Sequence, residues 1–223
     1  MYQNIYVKRL NNGVEVHLWD DKTGYQKFQH KSYAYLKSQS GIHTSLYGDK
    51  LKKVNFWTEA DVKSGKVFES DVQLETRILV DMYGDSDEMS EGHREVYFDI
   101  EVEVKDGFPE PNKAENKITA IALYDKTMDK YHCYVLGNVP NTDVVESFKS
   151  EEELLQRFYQ KYLEINPTIF SGWNIDGFDI PYLYNRTTRV LGHQFANALS
   201  PIGVWKTIRY LTLNIKINFT MSF

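Results

Sequence analysis

Cysteine is nearly absent: Cys133 is the single thiol in 223 residues. That excludes an intrachain disulfide and a cysteine-built zinc site, and it suits a reducing compartment. Positive charge is short as well. Lys and Arg number 26 against 31 Asp and Glu, a net charge of −5, which is the wrong sign for gripping nucleic acid by bulk attraction. Any nucleic-acid role is therefore local, or shares its basic surface with another piece. No apolar run approaches the roughly 18 residues of a membrane span. The opening MYQNIYVKRLNNG also lacks the apolar stretch of a signal peptide, so neither leader nor membrane anchor is expected. Internal repeats and low-complexity tracts are missing too. What remains is 42% hydrophobic and 26% charged, the balance of a folded chain with enough length for one large domain or two small ones.

Up to about Leu36, short alternating runs are broken by Asn11-Asn12-Gly13 and by Asp20 to Gly24. Such punctuation predicts antiparallel hairpins. Leu74, Ile78, Leu79 and Met82 fall on one helical face that stops at Gly84. The acidic stretch Asp85 to His93 has no apolar period and is taken as a domain boundary. After it, Glu95 to Glu103 alternates strictly, with Val96, Phe98, Ile100 and Val102 on one side and Glu95, Tyr97, Asp99, Glu101 and Glu103 on the other. Ile118 to Tyr124 and Tyr131 to Leu136 continue it as a meander. Ser150 and Glu153 spell a capping box for a helix that Asn166-Pro167 ends. Thr168 to Ser171 reads as a short strand, and Ile180 to Leu191 as a helix ending at Gly192. The pattern is that of an α/β domain with a mixed sheet.

Asp99 and Glu101, two apart on one strand, leave the same face about 6.6 Å apart. Paired carboxylates there are able to converge on Mg²⁺ or Mn²⁺, which take oxygen ligands and keep waters. A solvated acidic strand face is the commoner explanation of a lone pair, so the motif alone decides nothing. Asp179 stands where the SGWNIDGFD loop meets a helix. It is either a plain N-cap or a third acid facing Asp99 and Glu101, provided the Thr168 to Ser171 strand lies near theirs. Gly172 and Gly177 bracket Trp173 and Asn174 in that loop.

These segments resemble the family B DNA polymerases, most closely the replicative polymerases of T4-like bacteriophages. YFDIEV at Tyr97 to Val102 is similar to the family's first exonuclease motif, and IFSGWNIDGFDIPYL at Ile169 to Leu183 to its second. FPEPNKAENKITAIALYD, from Phe108 to Asp125, lies between them and resembles the phage group in content and spacing. The likeness runs from about Tyr47 to Gly203. It implies an incomplete ribonuclease H-like 3′–5′ exonuclease fold over 94–210, preceded by a small β-rich N-terminal domain over 1–93. It also implies proofreading of a single-stranded primer 3′ end by two-metal hydrolysis, with Asp99, Glu101 and Asp179 as metal ligands and catalytic carboxylates. Phe108 and Phe178 match aromatic positions that contact the frayed end, and Asn174 either bonds the substrate or pins its own loop.

The family's site takes a fourth carboxylate from a third motif, which this sequence lacks along with the polymerase domain. The expectation is an N-terminal polymerase fragment, inactive or weakly active alone, needing a complementary polypeptide and working in the host cytoplasm. The alternatives are a stand-alone DEDD-like nuclease, with Glu103, Asp176 or a water in the fourth position, and a non-catalytic nucleic-acid or partner-binding module. A paired-carboxylate glycosidase fits poorly, since Asp99 and Glu101 share one strand instead of flanking a sugar. Residues 211–223, LTLNIKINFTMSF, alternate as a strand and depart from the family. They are either a genuine terminal strand or a frameshift or intron product.

Overall fold

The computed structural model describes residues 1–11, 13–105, 107–203, 207–209 and 217–219. Two compact units divide the chain, Met1–Glu91 and Gly92–Phe223.

The first unit opens with β1 (Tyr2–Leu10), β2 (Gly13–Asp20) and β3 (Gly24–His30), an antiparallel sheet in that order. Gly24, at φ +72, supplies the left-handed turn between β2 and β3. Next come β4 (Ala34–Lys37), β5 (His43–Thr44), β6 (Lys50–Val54), α1 (Glu59–Lys63) and β7 (Val67–Phe68), with the strands paired as β5-β6-β4-β7. The sequence signalled the hairpins but not this second sheet, whose strands are too short, and in β6 too lysine-rich, to show a period. α2 (Leu74–Tyr83) lays Leu74 and Ile78 on Val14, Val16 and Leu18 of β2, which are all buried.

The second unit is a mixed α/β arrangement, most of which follows from its periodicities. β8 (Glu95–Val102), β9 (Ile118–Asp125) and β10 (Lys130–Leu136) form the antiparallel meander. β11 (Val145–Phe148) adds parallel to β10 at one edge, and β12 (Ile169–Ser171) adds parallel to β8 at the other, giving the order β11-β10-β9-β8-β12. Val96, Phe98 and Ile100 of β8, Ile121 and Leu123 of β9 and Tyr134 of β10 turn to one face. There they meet Leu154, Leu155 and Phe158 of α3 (Glu151–Ile165), and Ile180, Tyr182 and Leu183 of α4 (Asp179–Leu191). Each large aliphatic or Phe side chain buried there contributes roughly 1.5–3 kcal/mol. The opposite face of the sheet carries Tyr97, Asp99 and Glu101, all exposed.

α3 starts as its sequence dictates. Ser150 Oγ accepts from the Glu153 N–H at 3.3 Å, and the Glu153 carboxylate accepts from the Ser150 N–H at 3.4 Å. Asn166, left-handed at φ 47, ends it. A short α5 (His193–Ala196) and a 3₁₀ turn over Asn197–Leu199 follow. The 13-residue strand expected over 211–223 lies mostly outside the described residues. Within them, β14 (Ile217–Phe219) pairs antiparallel with β13 (Thr207–Arg209). No helix among the described residues is long and apolar enough to cross a membrane.

Candidate functional site

Because β8 alternates, the same strand that buries Phe98 and Ile100 presents Asp99 and Glu101 to the open face. Asp179 arrives from far along the chain. β12 stops at Ser171, opposite Tyr97, and the chain then turns through the glycine loop. A Cβ on Gly172 would collide with the Phe98 carbonyl oxygen, so the loop passes β8 at a distance that only glycine allows. Past the end of β12, the Asp179 Oδ1 accepts from the backbone N–H of Ile100 at 3.2 Å, the residue between Asp99 and Glu101.

The N-cap reading of Asp179 is thereby corrected. Phe178 is the cap, without a side-chain capping bond, and Asp179 is the first helical residue, its carboxyl turned across to β8. A cap needs its side chain over its own helix, and this one is committed to a strand. Asp179 is buried, and burial, aided by the charges of Asp99 and Glu101, pushes its pKa up to about 6 against the opposing pull of the Ile100 N–H.

Asn174 closes the loop. Its backbone is left-handed at φ 53, its carbonyl accepts from the Gly177 and Phe178 N–H groups at 2.9 and 3.0 Å, and its side chain lies where a Cβ on Gly177 would fall. Trp173 beside it is 92% exposed. Phe108, 80% exposed, and the half-buried Phe178 come together with ring centroids 5.2 Å apart, although 70 positions separate them in the sequence. α4 fixes that meeting. Tyr182, Asn185 and Arg186 donate to the carbonyls of Asn116 (2.9 Å), Pro111 (3.0 Å) and Glu115 (2.7 Å), tying down the segment after Phe108. Arg186 also clamps the buried Glu151 through two bonds of 2.8 and 2.6 Å, and Glu151 accepts from the Ile118 N–H at 2.8 Å. Neither Glu151 nor Arg186 carries a signal of this role in the text of the chain, because their pairing across 35 positions follows only from the packing of α3 on α4.

The three acids offer only hard oxygen donors, the kind that Mg²⁺ and Mn²⁺ take. Burial and, after it, the charges of Asp99 and Glu101 disfavour the charged form of Asp179, and a cation beside the three acids would offset both. In charge and donor type they fit such an ion. Among the described residues, no three His, Cys, Asp or Glu side chains are gathered closely enough to hold a metal as they stand; two of these acids are exposed on the strand and one is buried at its edge. Of the two candidate fourth acids, Glu103 pairs with Lys105 at 3.2 Å and Asp176 is exposed in the glycine loop.

A family profile described as DNA polymerase family B, exonuclease domain, matches residues 57–214. The chain belongs to that family. The match continues past Gly203, which corrects the expectation that the likeness ends there. Among similar proteins, the DNA-directed DNA polymerase of Escherichia phage RB69 is 35% identical over 132 residues, covering 47% of this chain and 15% of that protein. The enzyme of Enterobacteria phage T4 is 33% identical over 133 residues, with the same coverage. DNA polymerase 1 of Sulfurisphaera ohwakuensis is 34% identical over 130 residues, 56% of this chain and 13% of that protein. The chain thus spans about 15% of the length of the phage relatives it matches.

Proposed function

We propose that this chain is the N-terminal and proofreading portion of a phage-type family B DNA polymerase, removing nucleotides from a single-stranded primer 3′ end. The observation that carries this reading is the Asp179 carboxyl seated on the Ile100 N–H, between the two acids of β8. Asp99, Glu101 and Asp179 are the ligands of a pair of Mg²⁺ or Mn²⁺ ions. When bound, such a pair lowers the pKa of a water and stabilises the leaving 3′ oxygen. The chain's own contribution is placement. Asp179 is held by Ile100, Asp99 and Glu101 are held by the register of β8, and Phe108 with Phe178 offers rings on which a frayed base stacks without sequence preference. Asn174 serves the loop.

The mixed five-stranded sheet, a meander flanked by parallel strands, supports a ribonuclease H-like fold for residues 94–210, and the hairpins of 1–93 support a β-rich N-terminal domain. A complementary polypeptide brings the fourth carboxylate and the polymerase body, and the assembly works in the cytoplasm of an infected cell. The test is Asp99→Ala in the enzyme reconstituted with that polypeptide. Excision of a mismatched 3′ nucleotide should fall by a factor on the order of a hundred or more, the upper end of what loss of a ligand's supporting partner costs, while primer extension persists. Equal loss of both activities would overturn the assignment.

A further inference from the structure

On the open face of the sheet, one side-chain step from Asp99, three tyrosines stand in line across three strands. Tyr97 of β8 is opposite Tyr124 of β9, which is opposite Tyr131 of β10. Ring centroids are 6.1 Å apart for the first pair and 4.5 Å for the second, with interplanar angles of 34° and 28°. None of the three is buried, and Tyr97 and Tyr131 are 45% and 61% exposed. The Tyr124 hydroxyl donates to Asp129 at 2.7 Å, which fixes the middle ring from the turn. The next positions on β9 are Ala122, opposite Asp99, and Ala120, opposite Glu101. The floor beside the two carboxylates is therefore low, and the tyrosine line rises along its edge.

We propose that Tyr97, Tyr124 and Tyr131 form a stacking track that seats the bases of a single DNA strand on its way to Asp99 and Glu101. This deepens the proofreading reading and rests on it. Cross-strand aromatic pairs also steady a sheet, but that role does not require rings on the face that carries the acids. Flat, rigid rings with a polar tip, open to solvent and in register with a carboxylate row, suit an unpaired strand. Stacking needs no bulk positive charge, which fits a chain whose net charge is −5. Phe108 and Phe178 stand at the loop that carries Asp179, so the track adds a second set of rings, on the sheet itself.

The experiment is fluorescence anisotropy of a short fluorescein-labelled oligo(dT) with the full chain, with and without Mg²⁺, for Tyr97→Ala, Tyr131→Ala and the matching Phe variants. Each Ala variant should weaken binding about tenfold, and each Phe variant should retain it. An iodouracil-substituted oligonucleotide, photo-crosslinked and mapped by mass spectrometry, should mark the tyrosine line, a readout that survives should an Ala variant fail to fold. Unchanged affinity in folded Ala variants, crosslinks confined to other residues, or no binding of the oligonucleotide would each overturn the track. Failure of the nuclease reading looks different: ring-dependent binding that Mg²⁺ does not tighten and Asp99→Ala does not alter.

Discussion

Asp20 in the first unit and Asp179 in the second are both buried aspartates, 7% and 4% exposed, and their surroundings treat them in opposite ways. Asp20 sits at the end of β2 with its charge answered. Its Oδ1 accepts from the Lys22 and Thr23 N–H groups, each at 2.9 Å, and from the Thr23 hydroxyl at 3.1 Å, while its Oδ2 accepts from the Tyr83 hydroxyl at 2.8 Å. Burial disfavours its charged form, the hydrogen bonds of Thr23, Tyr83 and Lys22 outweigh that, and its pKa lies well below the usual carboxylate range. Asp179 has burial against its charged form and two like charges beside it, which the single Ile100 N–H does not offset, and its pKa rises. A buried acid satisfied by its own fold reads as structural, whereas one whose charge the fold leaves largely unanswered is a candidate for function.

The largest effect that would break this contrast is on Asp20. Asp20→Ala leaves four donors without their acceptor, and urea denaturation should show a loss of roughly 3–5 kcal/mol, as when one partner of a buried charged network is removed. Asp179→Asn should do the reverse at pH 7 without metal, gaining on the order of 3 kcal/mol, since a neutral side chain escapes the penalty that burial and the neighbouring charges put on a carboxylate whose pKa is pushed up to about 6. A destabilised Asn variant would erase the distinction.

The pH dependences carry opposite signs. Asp20 has a depressed folded pKa, so its stabilisation is present above the ordinary carboxylate value of 3.8 and is lost as the solution is acidified through the folded value. Asp179 has a raised one, so its favourable contribution is complete below 3.8 and disappears as pH climbs through about 6. Hydrogen exchange resolved by peptide, in chelator, should show the second unit loosening between pH 4 and 6 while the first does not. Added Mg²⁺ at pH 7 should restore the second unit by about 1.4 kcal/mol at ten times its Kd, and Asp99→Ala should remove that gain. The smallest effect is an ordering. Asp99→Asn should lower the Asp179 titration midpoint more than Glu101→Gln does, since the Asp99 charge is the stronger contributor; carboxyl NMR titration reads both.

Much of this architecture was legible because β8, α2 and α3 each state one period and carry their own stop signals. Val96, Phe98 and Ile100 alternate with Tyr97, Asp99 and Glu101 so strictly that the face of each acid follows from the text. Ser150 and Glu153 announce α3 by a purely local bond. β11 was missed because all four of its residues are half-buried, leaving no alternation to read. The carboxyl of Asp179 was ambiguous because Asp before a helix is a favoured cap. Only the early end of β12, a tertiary fact, frees the Ile100 N–H for it. The tyrosine line was hidden for a related reason: Tyr97, Tyr124 and Tyr131 align only once both hairpin registers are known.

The alternation of β8 has a consequence for how the molecule tolerates change. A slip of one residue in its pairing would send Asp99 and Glu101 inward and Phe98 and Ile100 into water, so no half-shifted sheet keeps the core while misplacing the acids. One-residue errors in this strand are all or nothing, and heat or mutation should leave no folded sheet whose pairing is off by a single position.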